Sequence, residues 1–179
     1  MDTASFQRLL PGDYIAGFAD GEGCFALKYR KDRQRNPGDG KIREYFYWGV
    51  EFAIVLRRDD IKILESIRST LNCGQISIST KRGVARFAVQ GPIDLFKKVI
   101  PFFRKYPLRA KKKEDFELWS QAVTIIYNNH SNRINVQKGK RGFVRKIIDQ
   151  NNADELGSIR DKMLEFKSAR SKGFKWGRS

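Results

Sequence analysis

The sequence predicts an α+β fold in which a helix, two strands, a helix, two strands and then helices are traversed once, the strands pairing antiparallel into one sheet. Two observations lead there. Cys24–Leu56 and Gly74–Gln90 alternate in the manner of strands and are broken by turn clusters at Asn36-Pro37-Gly38-Asp39-Gly40 and Lys81-Arg82-Gly83. Between and after them, apolar residues recur at three- and four-residue steps, the mark of amphipathic helices. A chain of 179 residues is one domain, or one domain plus an extension, and can bury a core without staples.

The first helix is expected over roughly residues 13 to 21, with Ile15, Phe18 and Ala19 at helical spacing. A long strand from Cys24 to Arg35 and a second from Lys41 to Leu56 should form a hairpin. Phe46, Trp48, Val50, Phe52 and Ile54 share one of its faces, and Lys28, Arg30, Arg43, Tyr45, Tyr47 and Glu51 share the other. Asp59 is placed as N-cap of a helix reaching Leu71, with Ile61, Leu64, Ile67 and Leu71 inward. A shorter hairpin follows, from Gly74 to Thr80 and Val84 to Gln90. Gly91-Pro92 opens a helix with Ile93, Phe96, Val99 and Ile100 apolar, ended by Tyr106-Pro107. Phe116, Trp119, Val123 and Ile126 mark another from Glu114 to Tyr127. Beyond it are expected a polar loop holding His130, short helices near Phe143–Ile148 and from Asp154 to Ala169, and a mobile basic tail from Arg170 to Ser179. Residues 1–128 are thus read as a core and 129–179 as its basic extension.

Thirty-six Lys and Arg against twenty Asp and Glu give a formal net charge of +16, the footprint of a protein that sits on a polyanion. Nucleic acid is the partner this implies. No apolar run approaches spanning length and no basic amphipathic helix dominates, so a membrane partner is not expected. Cys24 and Cys73 lack paired spacing, which excludes a disulfide framework or a thiolate zinc site. With no targeting segment visible, an intracellular setting is expected, in the cytoplasm, nucleoid or an organelle matrix, rather than secretion. The single His130 excludes chemistries built on histidine pairs.

Asp13 to Phe25 carries the chemistry. Gly17 and Gly21 stand four apart on one helical face, where a second backbone could approach, and Asp20 and Glu22 bring carboxylates to the point where that helix ends. Ile15 through Gly23 resembles, position for position, the signature of the LAGLIDADG homing endonucleases, and the order of elements follows that family to about residue 128.

The resemblance implies a homing-endonuclease-like αββαββα core with a saddle-shaped antiparallel sheet. It implies site-specific cleavage of double-stranded DNA at a long pseudo-palindromic target by a homodimer, the motif helices crossing at a two-fold axis through Ile15, Gly17, Phe18 and Gly21. It assigns the metal to Glu22 and the main-chain oxygen of Gly21, with Mg²⁺ the natural ion, Ca²⁺ or Mn²⁺ experimental substitutes, and no organic cofactor. Asp20 has a helix-end or catalytic role. A basic residue near the scissile phosphate falls to Lys111 or Lys112, with Arg109 a third candidate.

A two-stranded ribbon fits the major groove, which makes Lys28, Arg30, Tyr47 and Arg82 the leading base contacts. Arg33, Arg35, Arg43 and Lys81 are assigned to phosphates, and Arg57 and Arg58 to phosphate or water. Where relatives often place a water-ordering polar residue, at the end of the second strand, stands Leu56. Two other functions stay open: an RNA maturase assisting intron splicing, and a DNA-binding regulator that no longer cuts.

Overall fold

The structure, a computed structural model, describes residues 9–137 and 148–172; side chains at positions 32, 43, 45, 131–137 and 169–172 are outside the description. Helix α1 (Gly12–Glu22) leads straight into strand β1 (Gly23–Arg35), which turns back as β2 (Ile42–Arg57). A 3₁₀ turn, Arg58–Asp60, precedes α2 (Ile61–Leu71); β3 (Gln75–Ser79) and β4 (Val84–Val89) form the second hairpin around the 3₁₀ turn Thr80–Arg82. Then come α3 (Pro92–Asp94), a π-turn (Leu95–Val99), α4 (Ile100–Lys105), α5 (Lys112–Gln137) and α6 (Gln150–Lys172). The four strands form one antiparallel sheet ordered β1-β2-β4-β3.

The sheet's two faces differ as the alternation requires. Phe25, Val50, Phe52, Ile54, Ala85, Phe87 and Val89 point to one side and join the helices in a single core. Phe25 is its hub, with ring centroids 5.1 Å from Phe52, 5.6 Å from Phe103, 5.5 Å from Phe116 and 5.1 Å from Trp119. Each such aromatic pair adds about 0.5–1.5 kcal/mol beyond its buried area. Gly23 makes the abrupt helix-to-strand passage possible: a Cβ there would lie 2.5 Å from the Ala19 carbonyl oxygen, which accepts the Gly23 N–H. The tip of the first hairpin is closed by Gly40 N–H to the Asn36 carbonyl, 2.9 Å.

Several elements depart from the sequence reading. Asp59 does not cap α2; Asp60 occupies that position and Asp59 binds Arg57, because the 3₁₀ turn inserts before the helix. In the helical segment after Pro92 the buried stripe is Leu95, Val99 and Phe103, while Ile93 is exposed. Pro101 has no N–H to donate one turn back and its ring crowds that carbonyl, so the preceding turn widens to π and shifts the helical phase. The polar loop expected from Asn128 is helix instead, and His130 lies in α5. Docking overrides its weak propensity: α6 packs Leu156, Ile159 and Met163 into the core, and Tyr127 stacks on Phe96 at 4.1 Å. Helix α6 starts earlier than expected, where the Asp149 carboxylate accepts the Asn152 N–H at 2.9 Å. The helix expected near 143–148 and the tail after 172 lie outside the described residues.

Candidate active site

The open end of α1 gathers the motif acids and a lysine from α5. Asp20 Oδ2 accepts the backbone N–H groups of Arg109 (2.7 Å) and Ala110 (3.2 Å), fixing the segment that leads into α5. Lys112, in the first turn of α5, donates its Nζ to the Gly21 carbonyl at 2.6 Å and to that of Ala19 at 3.4 Å. Burial lowers the Lys112 pKa, and the negative charges of Glu22, Cys24, Asp20 and Asp115 oppose that shift only in part. Lys111 is exposed, and Arg109 offers its backbone N–H to Asp20.

Glu22 is exposed beside Gly21, at the last position of α1. Its carboxylate takes no hydrogen bond or ion pair among the described residues, and with the Gly21 carbonyl it presents hard oxygen donors on one edge. Asp20 Oδ1 is buried without a hydrogen-bond partner. Among the described residues no group of three or more His, Cys, Asp or Glu side chains assembles.

On the helix face carrying Gly17 and Gly21, a Cβ at either position meets nothing within 4 Å among the described residues. Tyr14, 46% exposed, stacks on Phe18 beside it, ring centroids 6.0 Å apart. Ile15 does not belong to this face. It is 0% exposed and part of the chain's own core, because its helical phase points it inward with Ala16 and Ala19, and Tyr14 takes its place outside.

Of the basic residues, register puts Lys28, Arg30 and Arg43 on the sheet face opposite the core, with Arg30 directly across from Tyr47. The Arg43 side chain is outside the described residues. Arg33 and Arg35 alternate onto the other face of the hairpin's outer end; Arg33 pairs with Glu44 at 3.0 Å and Arg35 donates to the Gly40 carbonyl at 3.2 Å. Thus the structure does not bring these two together with Lys28 and Arg30. At the opposite end of the sheet, the Arg58 N–H donates to the Gly83 carbonyl at 2.9 Å, which sets Arg57 and Arg58 beside the turn of Lys81 and Arg82. This end is also where β1 begins after Glu22. Leu56 cannot fill a water-ordering place for a simpler reason than its chemistry: it packs against the core. The outward residues at that level are Val55 and Arg57.

Sequence reading missed Arg86 and Gln90. Both bind Glu51, which is buried on the face of Lys28: Oε1 accepts from Lys28 Nζ at 2.7 Å and Arg86 at 2.6 Å, and Oε2 from Gln90 at 2.5 Å. Arg86 alternates with the inward Ala85 and Phe87, a signal that would have placed it on the outward face.

A signature helix ending in an acidic turn, followed by two antiparallel hairpins backed by helices, defines the LAGLIDADG endonuclease class. The model of that family matches residues 15–123, and the chain belongs to it. A protein named "Probable intron-encoded endonuclease 2" of Neurospora crassa is 29% identical over 130 residues, 72% of this chain and 26% of that protein. The "Uncharacterized 50.9 kDa protein in ND4 intron 1" of Podospora anserina is 32% identical over 119 residues, 64% of this chain and 24% of its own length. Among solved structures, I-SmaMI bound to uncleaved DNA target in the presence of calcium ions aligns with a TM-score of 0.65 and 23% identity, covering 86% of this chain and 45% of that one. I-LtrWI bound to target DNA aligns with a TM-score of 0.66 and 20% identity over 90% of this chain and 45% of that one. These likenesses establish the fold expected from sequence. The chain spans about a quarter of the two curated relatives and less than half of either solved chain.

Proposed function

We propose that the chain is one unit of a homing endonuclease that cuts double-stranded DNA at a long target, the second unit being another copy of itself. The observation that carries this reading is the meeting of Glu22, the Gly21 carbonyl and Lys112 at the open end of a helix whose glycine face is bare among the described residues. I-SmaMI and I-LtrWI, the structural neighbours, are bound to target DNA, which supports it.

The donor chemistry fits a divalent cation: a carboxylate without a partner among the described residues and a main-chain carbonyl are the hard oxygens that Mg²⁺ prefers, with Ca²⁺ or Mn²⁺ as laboratory substitutes. The carbonyl already faces a positive charge, that of Lys112. A bound divalent ion supplies charge neutralisation at phosphorus and a more acidic water. The chain's own residues do the rest. Lys112 places a fixed cation where negative charge develops on the phosphoryl group. Asp20 acts as a positioning residue, holding residues 109–110 so that Lys112 reaches α1. The outward sheet face and the Arg57, Arg58, Lys81 and Arg82 turns bind the duplex, largely through phosphates.

The exposed glycine face of α1 supports pairing. Two Gly17–Gly21 faces meeting about a two-fold axis would bring two Glu22 carboxylates together, and bound divalent cations would offset their mutual repulsion. The target genome sets the working compartment, inside the cell.

The test is incubation with a randomised duplex library and Mg²⁺, followed by sequencing of new ends. Cut ends clustered at one long, pseudo-palindromic motif are expected. Enrichment of a bound site without ends would refute cleavage, and selective protection of intron RNA with no duplex preference would favour the maturase reading.

A further inference from the structure

On the sheet face turned away from the core, the register sets Lys28, Glu51 and Arg86 among small residues: Ala26, Gly49, Ala53 and Ala88. The three alanines are buried yet stand outside the hydrophobic core cluster. Arg86 starts opposite Val55, so reaching Glu51 requires its side chain to extend past the Ala53–Ala88 pair. The Glu51 side chain is 5% exposed, whereas Lys28 and Arg86 keep 39% and 31%. A carboxylate buried in this way costs solvation that its ion pairs at best offset, and an apolar residue of the same size would serve stability as well. Its burial on an outward face therefore calls for another purpose.

Resting on the DNA-cutting reading above, we propose that Glu51 is a positioning residue for sequence recognition, holding Lys28 and Arg86 as one fixed pair of donors that reads base edges. Lys28 has three donors and Arg86 five, and the contacts to Glu51 leave donors on both for a ligand. Fixed side chains lose less freedom on binding, and an arginine fork matches the two acceptors of guanine. Two cations sharing one anion also leave a single net positive charge, which weakens indiscriminate attraction to phosphates while keeping the directional donors. Arg30 and Tyr47, the next cross-strand pair outward on this face, extend the same surface.

The experiment is selection of bound duplexes in calcium, so that binding is read apart from cutting, for the wild type, Glu51→Gln and Arg86→Gln, with the salt dependence of affinity for each. Glu51→Gln is expected to lose roughly tenfold in preference over one short stretch of each half-site and keep its preferences elsewhere. Its affinity should fall more steeply with salt, since the released cations turn to phosphates. Arg86→Gln should change the same stretch. An unmoved preference profile in Arg86→Gln, or a uniform loss across the site in a folded Glu51→Gln, would overturn the proposal while leaving the wild type a sequence-specific binder. A wild type without any sequence preference would overturn the underlying DNA reading as well.

Discussion

The Lys112 ammonium lies 2.6 Å from the carbonyl oxygen of Gly21, joining the start of α5 to the end of α1 and setting a positive charge next to Glu22. The arrangement depends on Asp20, which accepts two backbone N–H groups from the segment just ahead of α5. One motif acid therefore builds the scaffold and the other stays open to a ligand.

Glu22→Gln removes a negative charge from an exposed carboxylate that takes no hydrogen bond or ion pair among the described residues. The expected outcome is a loss of cleavage of roughly a hundredfold or more, with duplex affinity in calcium little changed. Single-turnover cutting and a binding titration on the selected target check this, and undiminished cutting would remove Glu22 from the site.

Lys112 must be protonated to stabilise a phosphoryl transition state, and its burial favours the neutral amine. Cleavage should therefore decline on the alkaline side at a lower pH than an ordinary lysine would give. In Lys112→Arg, whose guanidinium does not titrate in this range, that decline should disappear or move upward. The pH profile of kcat/KM is the measurement, and identical alkaline limbs in the two proteins would contradict the assignment.

A Cβ at Gly17 meets nothing within 4 Å among the described residues, and Gly17→Leu replaces glycine in a helix. Stability of the single chain should hold or rise by up to about 1 kcal/mol. Association should fail, because a branched side chain wedges two helix faces apart. Sedimentation velocity together with thermal melting separates the two effects; an intact dimer would disprove the interface.

Glu51 opposes its burial with hydrogen bonds from Lys28, Arg86 and Gln90, which bring its pKa from 4.5 to about 2. A depressed carboxyl pKa stabilises the fold above the unfolded-state value, and that contribution disappears as pH falls from about 4.5 toward 2. The loss should be on the order of 3 kcal/mol, and Glu51→Gln should lack this acid-dependent component. Urea unfolding at a series of pH values provides the comparison.

Much of this architecture was readable before any coordinates, for local reasons. The hairpins announce themselves by alternation and by their turn residues, and α1 by its glycine pair and terminal acids, so their bounds agree with the structure within a residue or two. What depended on distant contacts was not readable. Ile15 and Tyr14 both fit an apolar helix, and only the packing of α1 on the sheet sends Ile15 inward. The contact of Lys112 with Gly21 depends on the phase of α5, whose leading segment Asp20 holds from some ninety residues away. The Glu51 network joins three separate stretches of chain, and the continuation of α5 past Asn128 rests on its packing with α6.

The most direct measurement of the central claim is anomalous scattering from Mn²⁺ in crystals of the protein with its selected duplex. The account predicts manganese at ordinary metal–oxygen distance from Glu22 and Gly21 of two chains related by a two-fold axis, with target phosphates beside it. Manganese bound elsewhere, or Glu22 carboxylates far apart and away from the DNA, would contradict it.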